Sequence, residues 1–255
     1  MKVVATYSIK GGVGKTAAAV NLGYEASRHA VSTLIWDLDP QGAATYSFRI
    51  KAKVKGGARA VVRGKRRLDD VIRGTDFDDL DLVPADFSYR NLDLLLDEHK
   101  RPTKRLARLL EPLRDEYDLV ILDCPPSISL ASESVMDAAD WLIVPVIPTP
   151  LSLRTLDQLD SFLASNSFDI GVLPFFSMVH RRRRVHADSM ASLRAREPRL
   201  LNTGIPSSST IERVAVTRSP VGEFAPRSSA ALAFEDLWDE VSDTLFGDRR
   251  LLVGA

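Results

Sequence analysis

The sequence predicts an α/β domain with a mostly parallel, twisted sheet and helices on both faces. Three observations predict it. Short, continuously apolar runs alternate with segments of helical period, as strands buried on both faces require. The βαβα order implies crossover connections between parallel strands. The chain has 255 residues, 45% of them hydrophobic, enough for one large core. No internal repeat or long linker interrupts it, so residues 1–255 are read as a single domain.

Taken in order, six runs read as strands: Lys2–Ser8, Thr33–Asp39, Leu80–Pro84, Asp118–Asp123, Trp141–Val146 and Ile170–Val179. Helical segments lie between and after them, at Lys15–His29, Pro102–Glu116, Leu130–Ala139, Leu153–Ala164 and Val185–Arg196. A last helix is predicted over Ser229–Phe246, with Leu232, Phe234, Leu237, Trp238, Val241 and Leu245 as its apolar stripe. One segment departs from the pattern. Arg49–Arg67, RIKAKVKGGARAVVRGKRR, is basic and has no acidic residue; Asp69, Asp70, Asp76, Asp78, Asp79 and Asp81 follow it. Residues 49–79 are therefore expected to be a surface excursion, partly mobile, whose basic and acidic runs neutralise one another in solvated loops, with Arg49–Arg67 as a competing candidate for any nucleic-acid-binding cluster.

Lys+Arg and Asp+Glu each number 34, so any electrostatic footprint must be local. The single cysteine, Cys124, excludes an internal disulfide and a CxxC metal or redox site. It fits a reducing cytoplasm. The N-terminus shows no signal-peptide pattern, and no apolar run approaches the roughly 20 residues of a membrane span.

The chemistry is concentrated in SIKGGVGKTAAAV, Ser8–Val20, between the first strand and the first helix. The usual phosphate-binding pattern, G-x-x-x-x-G-K-[ST], would place its first glycine where Ile9 stands. The physics of the loop survives. Gly11, Gly12 and Gly14 let backbone N–H groups turn towards phosphate oxygens, with Val13 between them and Ala17 just inside the helix. The helix N-terminus adds its dipole. Lys15 can reach the terminal phosphates, and the Thr16 hydroxyl can ligate Mg2+. Lys10 is a second lysine that such a loop does not itself need.

KGGVGKT resembles the deviant Walker A motif of the ParA/MinD family of P-loop ATPases. LIWDLDPQG (Leu34–Gly42), LDLVPA (Leu80–Ala85) and DLVILDCPPS (Asp118–Ser127) resemble further ParA segments, the last its Walker B strand and turn. The likeness covers about the first 165 residues well and the remainder loosely. It implies a P-loop NTPase fold, ATP and Mg2+ as cofactors, and slow, partner-stimulated hydrolysis. It also implies a homodimer sandwiching two ATP molecules, in which Lys15 serves its own site and Lys10 the partner's. A solvent-exposed Lys10 without a role is the alternative. Non-specific DNA, a nucleoid location in the cytoplasm and an activating or cargo-adaptor protein follow from the same resemblance.

Asp37 and Asp39, two apart at a strand end, can point the same way, and ligands bind beyond strand C-termini in open α/β sheets. The resemblance makes Asp39 the residue that positions the attacking water and Asp37 a support of the metal shell. Asp37 could instead hold the turn by hydrogen bonds. Asp123 is expected to hold Mg2+ with Thr16. Cys124 reads as a small apolar filler, since an intersubunit iron–sulfur cluster needs more than one cysteine per chain.

Further along, GIPSSSTIERV (Gly204–Val214) resembles the family's adenine-side turn. Pro206 matches and is a candidate contact with Ser208, although Ser207 and Ser208 replace the usual arginine and asparagine. His180 stands where ParA proteins often carry aspartate. Arg181, Arg182, Arg183 and Arg184 form the sharpest basic cluster, followed by Arg194, Arg196, Arg199, Arg213 and Arg218. The resemblance makes them a DNA-binding surface that reads phosphates rather than bases; internal salt bridges are the competing use. A MinD-like membrane-associated protein and a regulatory ParA-like interaction protein are the alternative functions. The closing FGDRRLLVGA is too short and too weakly amphipathic for a membrane-targeting helix, and integral membrane association is not expected.

Overall fold

The computed structural model describes residues 1–180 and 182–247. Arg181 and the part of the closing segment from residue 248 onward lie outside the described residues. Eight strands form one sheet: β1 (Lys2–Thr6), β2 (Thr33–Asp37), β3 (Arg73–Gly74), β4 (Leu80–Val83), β5 (Leu119–Asp123), β6 (Trp141–Val146), β7 (Gly171–Val179) and β8 (Gly204–Pro206). Their order is β3-β4-β2-β5-β1-β6-β7-β8. Every pairing is parallel except the antiparallel edge strand β3 on β4. The six expected strands are all present. The additional β3 and β8 are too short, at two and three residues, to carry a periodic signal.

The helices are α1 (Lys15–Arg28), α2 (Ala43–Ser47), α3 (Gly57–Val62), α4 (Leu92–Asp97), α5 (Arg105–Leu110), α6 (Leu130–Ala138), α7 (Pro150–Ser165), α8 (Arg184–Arg196), α9 (Ser209–Glu212), α10 (Val214–Thr217), α11 (Val221–Phe224) and α12 (Ser229–Phe246). The helix expected over Pro102–Glu116 is shorter. It stops at Leu110 and passes into a 3-10 turn at Glu111–Leu113, because Pro112 cannot continue the α-helical hydrogen bonds.

Two apolar layers sandwich the sheet. One joins Val4, Ile35, Ile121 and Phe175 to α1 and α12 through Leu22, Phe234 and Trp238. The other joins Ala5, Trp36, Val120 and Leu122 to Leu96, Leu106, Val135 and Leu156 of α4–α7. Adjacent residues of β1, β2 and β5 thus point into opposite layers, which is why these strands read as unbroken apolar runs. On α12, Leu232 departs from its expected stripe and is 50% exposed, while Ala230 and Ala231 are buried.

The basic segment corrects the sequence reading more substantially. Residues 49–67 are not a solvated loop throughout. Four of their apolar side chains, Val54, Ala58, Val61 and Val62, are buried, and three of them join the α4–α7 layer. The periodicity of a six-residue helix is too brief to outweigh the surrounding charge.

Candidate functional site

The C-terminal ends of β1, β2 and β5 lie side by side. Thr6 is level with Asp123, and Asp37 is level with Asp123 on the other side. The glycine loop leaves β1 at this edge and runs straight into α1. Gly14 caps α1 with φ +100, a conformation costly for any residue with a side chain. A Cβ there would also lie 2.8 Å from Ser177 Oγ on β7. No side chain caps α1, so the first-turn N–H groups face the concavity of the loop, where an anion is favoured.

Lys15 is the buried cation of this loop, 6% exposed, with Nζ 3.4 Å from the Lys10 carbonyl oxygen. Burial lowers its pKa, opposed by the neighbouring Asp123, Cys124 and Asp39. Lys10 is exposed, and its side chain has no ion pair among the described residues.

Asp123 is fully buried. Its Oδ1 accepts a hydrogen bond from Thr6 Oγ1 at 3.2 Å, whereas Oδ2 is buried without a partner among the described residues. Burial, then the charge of Asp37, raises its pKa, while Thr16 and Lys15 favour the ionised form. A buried, half-satisfied carboxylate beside a threonine hydroxyl suits a hard cation with oxygen ligands.

The two aspartates of β2 divide their work. Asp37 Oδ2 accepts from Thr45 N at 2.8 Å and from Thr45 Oγ1 at 2.7 Å. Its Oδ1 accepts from Asp39 N at 3.3 Å. Thr45 Oγ1 in turn accepts from Ala85 N at 2.8 Å. Both oxygens of Asp37 are thus spent on the turn between β2 and α2, the use that competed with metal support, and Asp37 lies beside Asp123 rather than opening towards a ligand. Burial raises its pKa and the Thr45 bonds oppose this. Asp39 is half-buried, and its Oδ1 accepts from Gln41 N at 2.9 Å. Cys124 is buried, with its thiol pushed up by burial, as an apolar filler should be.

Beside the loop, Gly14, Ala17, Phe175, Pro206, Ser208 and Ile211 line a cleft of about 100 Å3. Pro206 and Ser208 are therefore brought next to Gly14 and Ala17 from almost 200 residues away in sequence. Ser208 also caps α9, its Oγ accepting from Thr210 N at 3.1 Å. Met178, Glu212 and Phe234 share this lining; the sequence reading missed Phe175, Met178 and Phe234, for they lie on a strand and a helix with no motif of their own, and it did not single out Ile211 and Glu212 within the Gly204–Val214 segment.

The arginines do not behave as one surface. Arg196 pairs with Asp157 at 2.8 Å, and Arg199 with Asp160 and Glu197 at 2.9 and 2.6 Å. Arg194 bonds the Asn202 carbonyl at 2.9 Å and stacks on Phe176. Arg213 lies over Phe224, and Arg218 over Tyr46, whose carbonyl it also binds. These five are among the arginines expected to face DNA, and in the structure each has an internal partner. Arg182 and Arg183 line an open cleft with His180 and Ser207, and Arg184 is 94% exposed, only 3.8 Å from Asp188.

With this geometry, an AAA-domain family model matches residues 1–166, from the glycine loop through β6 and α7. The chain belongs to the ParA/MinD family of P-loop ATPases. A virulence plasmid ParA family protein of Chlamydia psittaci is 29% identical over 99% of this chain and 98% of its own. Apo McdA of Cyanothece superposes with a TM-score of 0.84 at 21% identity, over 94% of this chain and 99% of McdA. A cobyrinic acid a,c-diamide synthase of Mycobacterium smegmatis, solved with an ATP analogue and magnesium, superposes at 0.81 with 24% identity, over 97% of each chain. These relationships place the chain among ParA-like proteins. No helix among the described residues is long and apolar enough to cross a membrane.

Proposed function

We propose that this protein binds ATP with Mg2+ at the glycine loop, hydrolyses it slowly, and uses the ATP-bound homodimer to hold non-specific DNA while it positions a cargo. The observation that carries this reading is the convergence of Lys15, Thr16, Asp39 and the half-satisfied Asp123 on one loop. Thr16 and Asp123 would hold the cation, offering the hard oxygen ligands that Mg2+ takes. When bound, Mg2+ supplies charge neutralisation at the terminal phosphates. Lys15 adds a second fixed positive charge in its own site. Asp39 accepts a hydrogen bond from the attacking water and orients it, the role that a carboxylate near phosphates can fill. Asp37 acts behind Asp39 by fixing the turn that presents it. Lys10, exposed at the loop, reaches the nucleotide of the partner subunit, so that ATP becomes part of the dimer interface.

DNA contact is carried by Arg181–Arg184, with Arg194, Arg196, Arg199, Arg213 and Arg218 shaping the surface through their internal partners. An activating or adaptor protein accelerates hydrolysis and releases the dimer, and DNA binding by the ATP-bound dimer places the protein on the nucleoid in the cytoplasm. Sedimentation with a slowly hydrolysed ATP analogue and Mg2+ tests the central step. A dimer is expected with the analogue and a monomer with ADP; a monomer under both conditions would remove the sandwich and its switch.

A further inference from the structure

The segment 49–67 holds nine Lys and Arg residues and no Asp or Glu. Three of the nine are neutralised by ion pairs: Arg49 with Asp76, Arg63 with Glu98, and Arg67 with Asp69. Lys51, Lys53, Lys55, Arg59, Lys65 and Arg66 have no ion pair among the described residues, and all but the half-buried Arg66 are exposed. In a chain of zero net charge, this is a concentrated local excess.

These cations are not displayed from a floppy tail. Val54 N donates to Asp86 Oδ2 at 2.9 Å, and Ala58 N donates to Ser88 Oγ at 2.8 Å. Val54, Ala58, Val61 and Val62 are buried beneath them. The backbone is ordered before any ligand arrives, so binding need not supply that ordering. Arg59, Arg63 and Lys65, with Gly56 and Ala60, line an open concavity of about 420 Å3. Like charges held this close repel one another, and a polyanion relieves the repulsion.

We infer that Lys51, Lys53, Lys55, Arg59, Lys65 and Arg66 form a second nucleic-acid contact, which takes the phosphate backbone of duplex DNA without reading bases. It rests on the reading that the protein works on DNA. An acidic protein partner fits less well. Protein interfaces centre on apolar or aromatic anchors, and no large apolar side chain of this segment is exposed. Phosphate contacts need none. The surface is distinct from the Arg182–Arg184 turn. That turn follows β7, whereas the basic segment is bonded to Asp86 and Ser88, just past the end of β4. The strands β2, β5, β1 and β6 lie between β4 and β7, a separation of about 24 Å at the usual strand spacing.

The test measures duplex DNA affinity of the full chain against salt, without nucleotide and with an ATP analogue. The variant Lys51→Gln/Lys53→Gln/Lys55→Gln removes three phosphate contacts. Its log–log salt slope is expected to become shallower by about 2.7, at about 0.9 per contact on duplex DNA. Arg59→Gln/Lys65→Gln, on the α3 side, is expected to give a shift of about 1.8 by the same rule and keeps the test open should the triple variant not fold. Analogue-induced dimerisation should persist in both. Folded variants with the wild-type slope would overturn the second contact while leaving the DNA reading intact. Wild type that ignores duplex under both conditions would overturn both. A polyglutamate of matched charge that binds as tightly as duplex, and is lost in the triple variant, would assign the surface to an acidic protein instead.

Discussion

Two positively charged regions of this molecule put the same residue types to opposite uses. At the glycine loop, Lys15 is buried, 6% exposed, among Asp123 and Asp39, and its charge is aimed into the site. Around α8, Arg196 and Arg199 are each about half exposed and point back onto Asp157, Asp160 and Glu197 of their own chain. A buried charge in a convergent polar cluster is strongly coupled to whatever enters. An exposed charge already paired to a carboxylate is screened and contributes little. Counting arginines therefore overstates a binding surface, and the pairing decides which of them are available.

The largest expected effect lies at the loop. Lys10→Ala should lower hydrolysis by about 1000-fold, on the scale of a cation supplied in trans to a phosphoryl transfer. Nucleotide affinity should stay within a few-fold of wild type if, as proposed, the Lys10 side chain serves the partner's nucleotide. Lys15→Ala should instead lose nucleotide affinity about 100-fold, the scale of a charge-assisted contact of roughly 3 kcal/mol. Equilibrium binding of a fluorescent ATP analogue alongside turnover separates them. If the two variants lose affinity equally, both lysines serve one site, and the division between own and partner nucleotide is wrong.

A step smaller, Asp39→Ala should keep ATP binding and lose about 100-fold in hydrolysis, at the lower end of positioned acid–base effects, with the ATP dimer accumulating. Thr45→Val probes the support behind it. Removing the hydroxyl leaves Asp37 Oδ2 with one hydrogen bond fewer in a fully buried setting, which costs about 1–3 kcal/mol. The melting midpoint should fall, and hydrolysis should fall with it while ATP affinity changes less. Wild-type hydrolysis in Asp39→Ala would move the water-positioning role elsewhere.

This contrast also explains what could be read in the sequence. The glycine loop, Asp39 and Asp123 are legible because each sits next to an apolar strand whose end fixes its direction. The sheet itself is legible for the same reason. Asp37 is ambiguous from sequence, since only the return of Thr45 and Ala85 to the same place shows what occupies its oxygens. The cleft side chains Phe175, Met178 and Phe234 belong to elements distant in sequence, and nothing local marks them. Arg196 and Arg199 are visible as charge, but their partners Asp157 and Asp160 lie on α7, about 40 residues back. Long-range pairing of this kind leaves no period and no motif.

The smallest expected effect tests that last point. Arg196 and Asp157 form two hydrogen bonds, at 2.8 and 3.3 Å, with both side chains about half exposed. Half-exposed ion pairs are worth about 0.2–1 kcal/mol, so Arg196→Gln should lower stability by about 0.5 kcal/mol or less. If Arg196 is committed to Asp157, its removal should change duplex DNA affinity less than twofold and leave the salt slope unaltered. Arg182→Gln/Arg183→Gln, by contrast, should make the slope shallower by about 1.8. The informative variant is Asp157→Asn. It frees Arg196 without removing a positive charge, so it should strengthen DNA binding if Arg196 lies within reach of the duplex. A drop in slope of about 0.9 for Arg196→Gln would show that the guanidinium leaves Asp157 for phosphate when DNA arrives. The pairing would then be a resting arrangement rather than a commitment.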